Sequence, residues 1–194
     1  MKKICVYAGS NLGVRPEFQT YARQLGEEIV KRGFELVYGG SRIGLMGEVA
    51  NTVLELGGAV TGVMPKGLFR GEIVHTGLSE LIEVDSMHQR KATMIELADG
   101  FVALPGGYGT FEELFEVMCW AQIGIHQKPI GIFNIAGYYT PLLNMIHHAA
   151  TEEFMNPNHL DLIVSATNAN ELFEKMQTYT PPVLKNKWRQ LAEE

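Results

Sequence analysis

Apolar residues along this chain follow two alternating periods. Short apolar runs at 4–7, 35–38, 59–64, 80–84, 101–104, 129–133 and 162–165 read as strands. Between most of them, apolar positions recur three and four residues apart. Phe18, Tyr21, Ala22, Leu25, Ile29 and Val30 define such a stripe over 16–32, with Pro16 at its start and Gly33 at its end. Further helices are expected from the glycine loop at 39–47 to about 56, then over 87–98, 110–122, 141–152 and 170–177. Ser86, with Gln89 three residues on, reads as a capping box for the third. Residues 65–79 follow neither period, and a stretch that long in a compact domain is often a binding loop.

Strands and helices therefore alternate, and runs such as Ile130-Gly131-Ile132-Phe133 are apolar on both faces. That pattern predicts an α/β fold, a doubly wound parallel sheet with helices on both faces. One domain is expected over 1–180, followed by a polar tail at 181–194. Ligands of such sheets bind beyond the carboxyl ends of the strands, where the strand order switches. The glycine-rich loops all fall at those ends and are expected to converge.

Composition narrows the partners. At 194 residues, 46% hydrophobic and 20% charged, the chain has the make-up of an ordinary globular domain. A formal charge of −6 and the lack of a basic tract argue against a nucleic-acid polymer. Arg42, Lys66, Arg70, Arg90 and Lys91 fall in or beside expected loops near strand ends, an arrangement that suits a small anion. Cys5 and Cys119 lack metal-ligand spacing and read as reduced thiols; the six histidines show no such spacing either. No metal and no cofactor are expected. No apolar stretch is long enough to span a bilayer, and the chain starts directly into a strand, so a cytoplasmic protein without membrane contact is expected.

The candidate chemistry centres on Leu104-Pro105-Gly106-Gly107-Tyr108-Gly109-Thr110-Phe111-Glu112-Glu113, a strand, a glycine loop and a helix start. Its glycines leave backbone open to a ligand, and Thr110 is expected to cap the helix so that free N–H groups face a phosphate or a sugar hydroxyl. Gly9-Ser10 and Gly39-Gly40-Ser41, the latter running on to Gly44-Leu45-Met46-Gly47, follow two other strands. Neither matches a dinucleotide fingerprint or a P-loop, and either alone would be only a tight turn. In the helix at 87–98, Met87, Met94, Ile95, Leu97 and Ala98 form the inward face, and Arg90 and Lys91 share it. Inward cations need partners, so they either snorkel to structural carboxylates or line an anion site. In the next helix Phe111, Leu114, Phe115 and Met118 are expected to face the core, with Glu113 on the other side. Thr110 with Glu113 is formally a capping box, and periodicity leaves open which of Glu112 and Glu113 reaches a ligand. A carboxylate near a helix N-terminus is expected to stay ionised.

Taken together, the blocks resemble those of the LOG ("Lonely guy") family, cytokinin riboside 5′-monophosphate phosphoribohydrolases whose members were often labelled lysine decarboxylases. Residues 105–113 match its P-G-G-x-G-T-x-x-E signature, and Gly39-Gly40, Gly44-Leu45-Met46-Gly47 and Met87-His88-Gln89-Arg90-Lys91 match further blocks. The resemblance covers about residues 3–178. It implies a Rossmann-like homodimer that hydrolyses the N-glycosidic bond of an adenine-type nucleoside 5′-monophosphate, plain or N6-prenylated. It further implies Arg90 and Glu113 as the catalytic pair, and Glu72, Lys91, Gly107, Tyr108, Gly109, Phe111 and Glu112 as ligand-binding. Gly9, Ser10, Gly39, Gly40, Gly44, Met46 and Thr110 would line the site. Two other classes compete: a nucleotide-binding carrier or sensor without turnover, and a pyridoxal-dependent decarboxylase, for which no lysine stands in a marked context.

Overall fold

The computed structural model describes residues 1–67 and 74–183. Its elements run β1 (Lys3–Tyr7), α1 (Pro16–Lys31), β2 (Glu35–Tyr38), α2 (Gly44–Glu55), β3 (Val60–Pro65), β4 (Glu80–Val84), α3 (Met87–Leu97), β5 (Gly100–Ala103), α4 (Tyr108–Gln122), β6 (Ile130–Phe133), α5 (Thr140–Thr151), β7 (Ile163–Ala166) and α6 (Ala169–Gln177). Every expected strand and helix is present, with ends shifted by one or two residues. Of the expected tail, only 181–183 falls within the described residues.

The seven strands form one parallel sheet in the order β4-β3-β2-β1-β5-β6-β7. Side chains alternate across it. In β1, Ile4 and Val6 pack with α1, α2 and α6 on one face, whereas Cys5 and Tyr7 pack with α3, α4 and α5 on the other. Burial on both faces explains the near-continuous apolar runs of the central strands. β4, one of the two edge strands, is more exposed and carries Glu80 and Glu83, charges that discourage pairing with another sheet.

The topology places the site. From β1 the chain winds outward through β2, β3 and β4, then crosses back to β5 on the other side of β1. The crevice at this switch lies above the carboxyl ends of β1 and β5, at the loops after Tyr7 and Ala103. Between β3 and β4, Val74 makes an isolated bridge with Ser41, and the His75 N–H donates to Gly40 O at 2.9 Å. Glu72 and Arg70 lie outside the described residues.

Candidate active site

Three glycine loops meet in the switch crevice. The Gly9 N–H donates to Pro105 O at 3.0 Å, and the Met46 N–H donates to Gly9 O at 3.3 Å. Gly44 has a φ of +64°, and a Cβ there would strike the backbone of Ser10 and Asn11. This close approach requires glycine. Around the junction lies a cavity of about 520 Å³, the size of a small-ligand site. Gly9, Ser10, Gly39, Met46, Arg90, Gly107, Tyr108, Gly109, Thr110 and Glu113 line it. Asn11, Leu12, Phe18, Ser41, Met64 and Tyr138 also line it, and none of these stood out as a site residue in the sequence.

Helix α4 starts two residues earlier than expected. Gly107 is its N-cap, with no side-chain capping bond, so Thr110 and Glu113 form no capping box. Instead Thr110, Glu113, Leu114, Val117 and Ala121 make up the buried stripe. Phe115, expected inside, is 41% exposed, and Glu113 occupies an inward position. A similar correction applies to α3, where Met94 and Ile95, with Ala98 just past its end, are buried but Met87 is 37% exposed.

The inward carboxylate meets the inward cation. Arg90 Nη1 lies 3.3 Å from Glu113 Oε1, and both side chains are about nine-tenths buried. Arg90 Nε donates to Val63 O at 3.1 Å, which fixes the guanidinium against the end of β3. Its Nη2 occupies the space that a Cβ on Gly39 would take. Gly39 is therefore required to seat Arg90, beyond any turn it makes.

Lys91 is oriented elsewhere. Its ammonium bonds to Glu112 and, at 3.1 Å, to Glu116, along the seam between α3 and α4. Burial alone would lower the Lys91 pKa, but these two bonds hold it above its ordinary value. Lys91, Glu112, Phe111, Gly40 and Gly44 do not line the cavity. Phe111 packs edge-on to Tyr139, with ring centroids 6.4 Å apart.

Burial pushes the Glu113 carboxyl from 4.5 up to about 7; Arg90 pulls it down, and Glu112 and Glu116 add to the rise. This overturns the expectation of a carboxylate kept ionised by the helix dipole. With Gly107 as N-cap, Glu113 lies beyond the first turn, where the dipole's influence has fallen away. A carboxyl near 7 exchanges its proton readily at neutral pH, a property suited to acid–base work. Among the described residues no group of His, Cys, Asp and Glu is clustered to hold a metal.

The helix start, the buried Arg–Glu pair and the partly apolar cavity thus lie together at the sheet's switch point, where such folds bind small molecules. A family model described as "Possible lysine decarboxylase" matches residues 46–176. The chain is 51% identical over 178 residues to the probable cytokinin riboside 5′-monophosphate phosphoribohydrolase LOGL1 of Oryza sativa subsp. japonica, covering 92% of this chain and 80% of that protein. It is likewise 51% identical over 180 residues to the cytokinin riboside 5′-monophosphate phosphoribohydrolase LOG7 of Arabidopsis thaliana, covering 93% and 83%. The chain belongs to this family, the LOG family. Among solved structures, the molybdenum cofactor binding protein of Rippkaea orientalis shares the fold with a TM-score of 0.69, at 21% identity over 92% of this chain and 97% of that one.

Proposed function

We propose that this chain hydrolyses the N-glycosidic bond of adenine-type nucleoside 5′-monophosphates, releasing the free base and ribose 5-phosphate. The observation that carries the reading is the buried Arg90–Glu113 pair set in the cavity wall beside the start of α4. The relatives' activity supports the same reaction class. In this reading the phosphate sits on the free N–H groups of Tyr108, Gly109 and Thr110, at the positive end of the helix. The base lies against Met46 and Met64, beside Arg90.

The C1′–N9 bond breaks with its electron pair passing to the base, and the ribosyl group takes on oxocarbenium character. Ionised Glu113 stabilises that charge and accepts a proton from the attacking water, which adds at C1′. Arg90 holds Glu113 in place and donates a hydrogen bond to the departing base, which leaves with the N9 electron pair and takes its proton from solvent. Exposed Phe115, Ile123 and Ile125, on and just after α4, support a homodimer. A pyridoxal-type decarboxylase would need a lysine in the cavity, and the described lining residues include none.

The test is incubation of purified protein with AMP and with isopentenyl-AMP, followed by chromatography of free base and ribose 5-phosphate. Release from either, lost in Arg90→Ala, is the expected result, and the ratio assigns the base preference. Tight nucleotide binding without release would instead make the protein a carrier.

A further inference from the structure

Among the groups bordering the cavity, Tyr138 contacts the glycine loop without reaching the Arg90–Glu113 pair. It follows a tight turn after β6 in which Ala136 and Gly137 take positive φ of 50° and 74°. Its hydroxyl donates to Gly106 O at 2.5 Å. The ring is held independently of that bond, edge-on to Phe18 at 5.8 Å and to Tyr139 at 5.0 Å between centroids. Tyr139, the next residue, donates its hydroxyl to Leu104 O at 2.6 Å. With Gly9 N–H on Pro105 O, three consecutive carbonyls of the loop are clamped.

These clamps differ in consequence. In a planar trans peptide, the C=O of one residue and the N–H of the next point in opposite directions. Fixing Leu104 O therefore orients no donor, because the next residue is Pro105, which has no N–H. Fixing Gly106 O sets the direction of the Gly107 N–H, at the N-cap of α4. Nothing lies within 4 Å of a Cβ built on Gly107 or Gly109, so the protein's own packing leaves room for a ligand beside these two residues.

We infer that Tyr138 is a positioning residue: its hydroxyl locks the Gly106–Gly107 peptide so that the Gly107 N–H joins the α4 donors in binding the substrate's phosphate. This rests on the reading above that the phosphate sits at the start of α4. An unlocked peptide is free to rotate and turn a carbonyl toward the anion. The hydroxyl thus serves the phosphate alone, and the base and ribose subsites do not depend on it.

The experiment compares wild type, Tyr138→Phe and Tyr139→Phe for calorimetric binding of ribose 5-phosphate and of adenosine, with thermal melts and AMP kinetics alongside. Tyr138→Phe keeps the ring and its packing. It is expected to weaken ribose 5-phosphate roughly five- to tenfold and to raise KM for AMP by a similar factor, while adenosine binding stays at the wild-type level. Tyr139→Phe is expected to lower the melting temperature and leave ribose 5-phosphate affinity unchanged. The inference is overturned if Tyr138→Phe binds ribose 5-phosphate as wild type does. Equal losses for adenosine and ribose 5-phosphate would also overturn it, since a general loosening of the pocket would account for both. If wild type binds adenosine but not ribose 5-phosphate, the phosphate placement itself is wrong and the role of Tyr138 falls with it.

Discussion

Glu113 and Gly39 carry their roles through what surrounds them, and each leads to a measurable effect. If ionised Glu113 accepts the water's proton, kcat/KM should rise about tenfold per pH unit below about 7 and level off above it. Glu113→Gln should remove that limb and lower kcat by roughly a hundredfold or more. A profile that stays flat across this range would exclude the assigned protonation state. Gly39→Ala puts a methyl where Arg90 Nη2 rests, so the guanidinium must leave its bonds to Val63 O and Glu113. The expected result is a folded protein by circular dichroism with kcat/KM reduced on the order of a hundredfold, the cost of misplacing a catalytic group. None of this was legible from Gly39 in the sequence, where its loop taken alone read as a tight turn and the resemblance made it a residue lining the site. A Cβ vacancy filled by a side chain fifty-one residues away is a tertiary fact.

Helix α4 marks where sequence periodicity succeeds and where it fails. Its existence and span were readable from the apolar spacing. Its phase was not, because Thr110 and Glu113 imitate a capping box and a carboxylate contributes nothing to an apolar stripe. Reading Phe115 inward and Glu113 outward followed from hydrophobicity alone. Burial of Glu113 against Arg90 reversed that order, and the desolvation that this position imposes is what raises the carboxyl's pKa despite the pairing. The P-G-G-x-G-T block, by contrast, was legible because its glycines have specific work. Gly109 lies within α4, with open space where a Cβ would go. Glycine there weakens a helix by about 0.5–1 kcal/mol relative to alanine. Gly109→Ala should therefore raise stability by up to about that amount while raising KM for AMP several-fold. Chemical denaturation and kinetics on one preparation separate the two. A variant with higher stability and unchanged KM would place the phosphate elsewhere.

At the scale of the whole molecule, alternation of strand and helix was enough to foresee a parallel sheet with its ligand crevice at the switch of strand order. Tyr138 was not foreseen, because the crevice also draws on the turn after β6, which carries no motif. The buried carboxyl at this crevice should register in global stability. Raising a folded-state pKa means the native protein holds a proton that the unfolded chain gives up, so Glu113 makes stability fall as pH rises from about 4.5 to about 7. Glu28 and Asp99, held below their ordinary values, act in the opposite sense at lower pH. His75 and His126, lowered mainly by burial, also raise stability with pH as it climbs through the histidine range. The wild-type curve alone therefore mixes opposing slopes. Subtracting the urea-unfolding free energy of Glu113→Gln from that of wild type cancels the shared groups. That difference should decline by a few kcal/mol between pH 4.5 and 7, and then level off. A difference that stays nearly level across this window would mean that Arg90 outweighs burial and Glu113 is ionised throughout. The raised carboxyl pKa, and with it the acid limb of the kcat/KM profile, would then fail on thermodynamic grounds, independently of any assay of turnover.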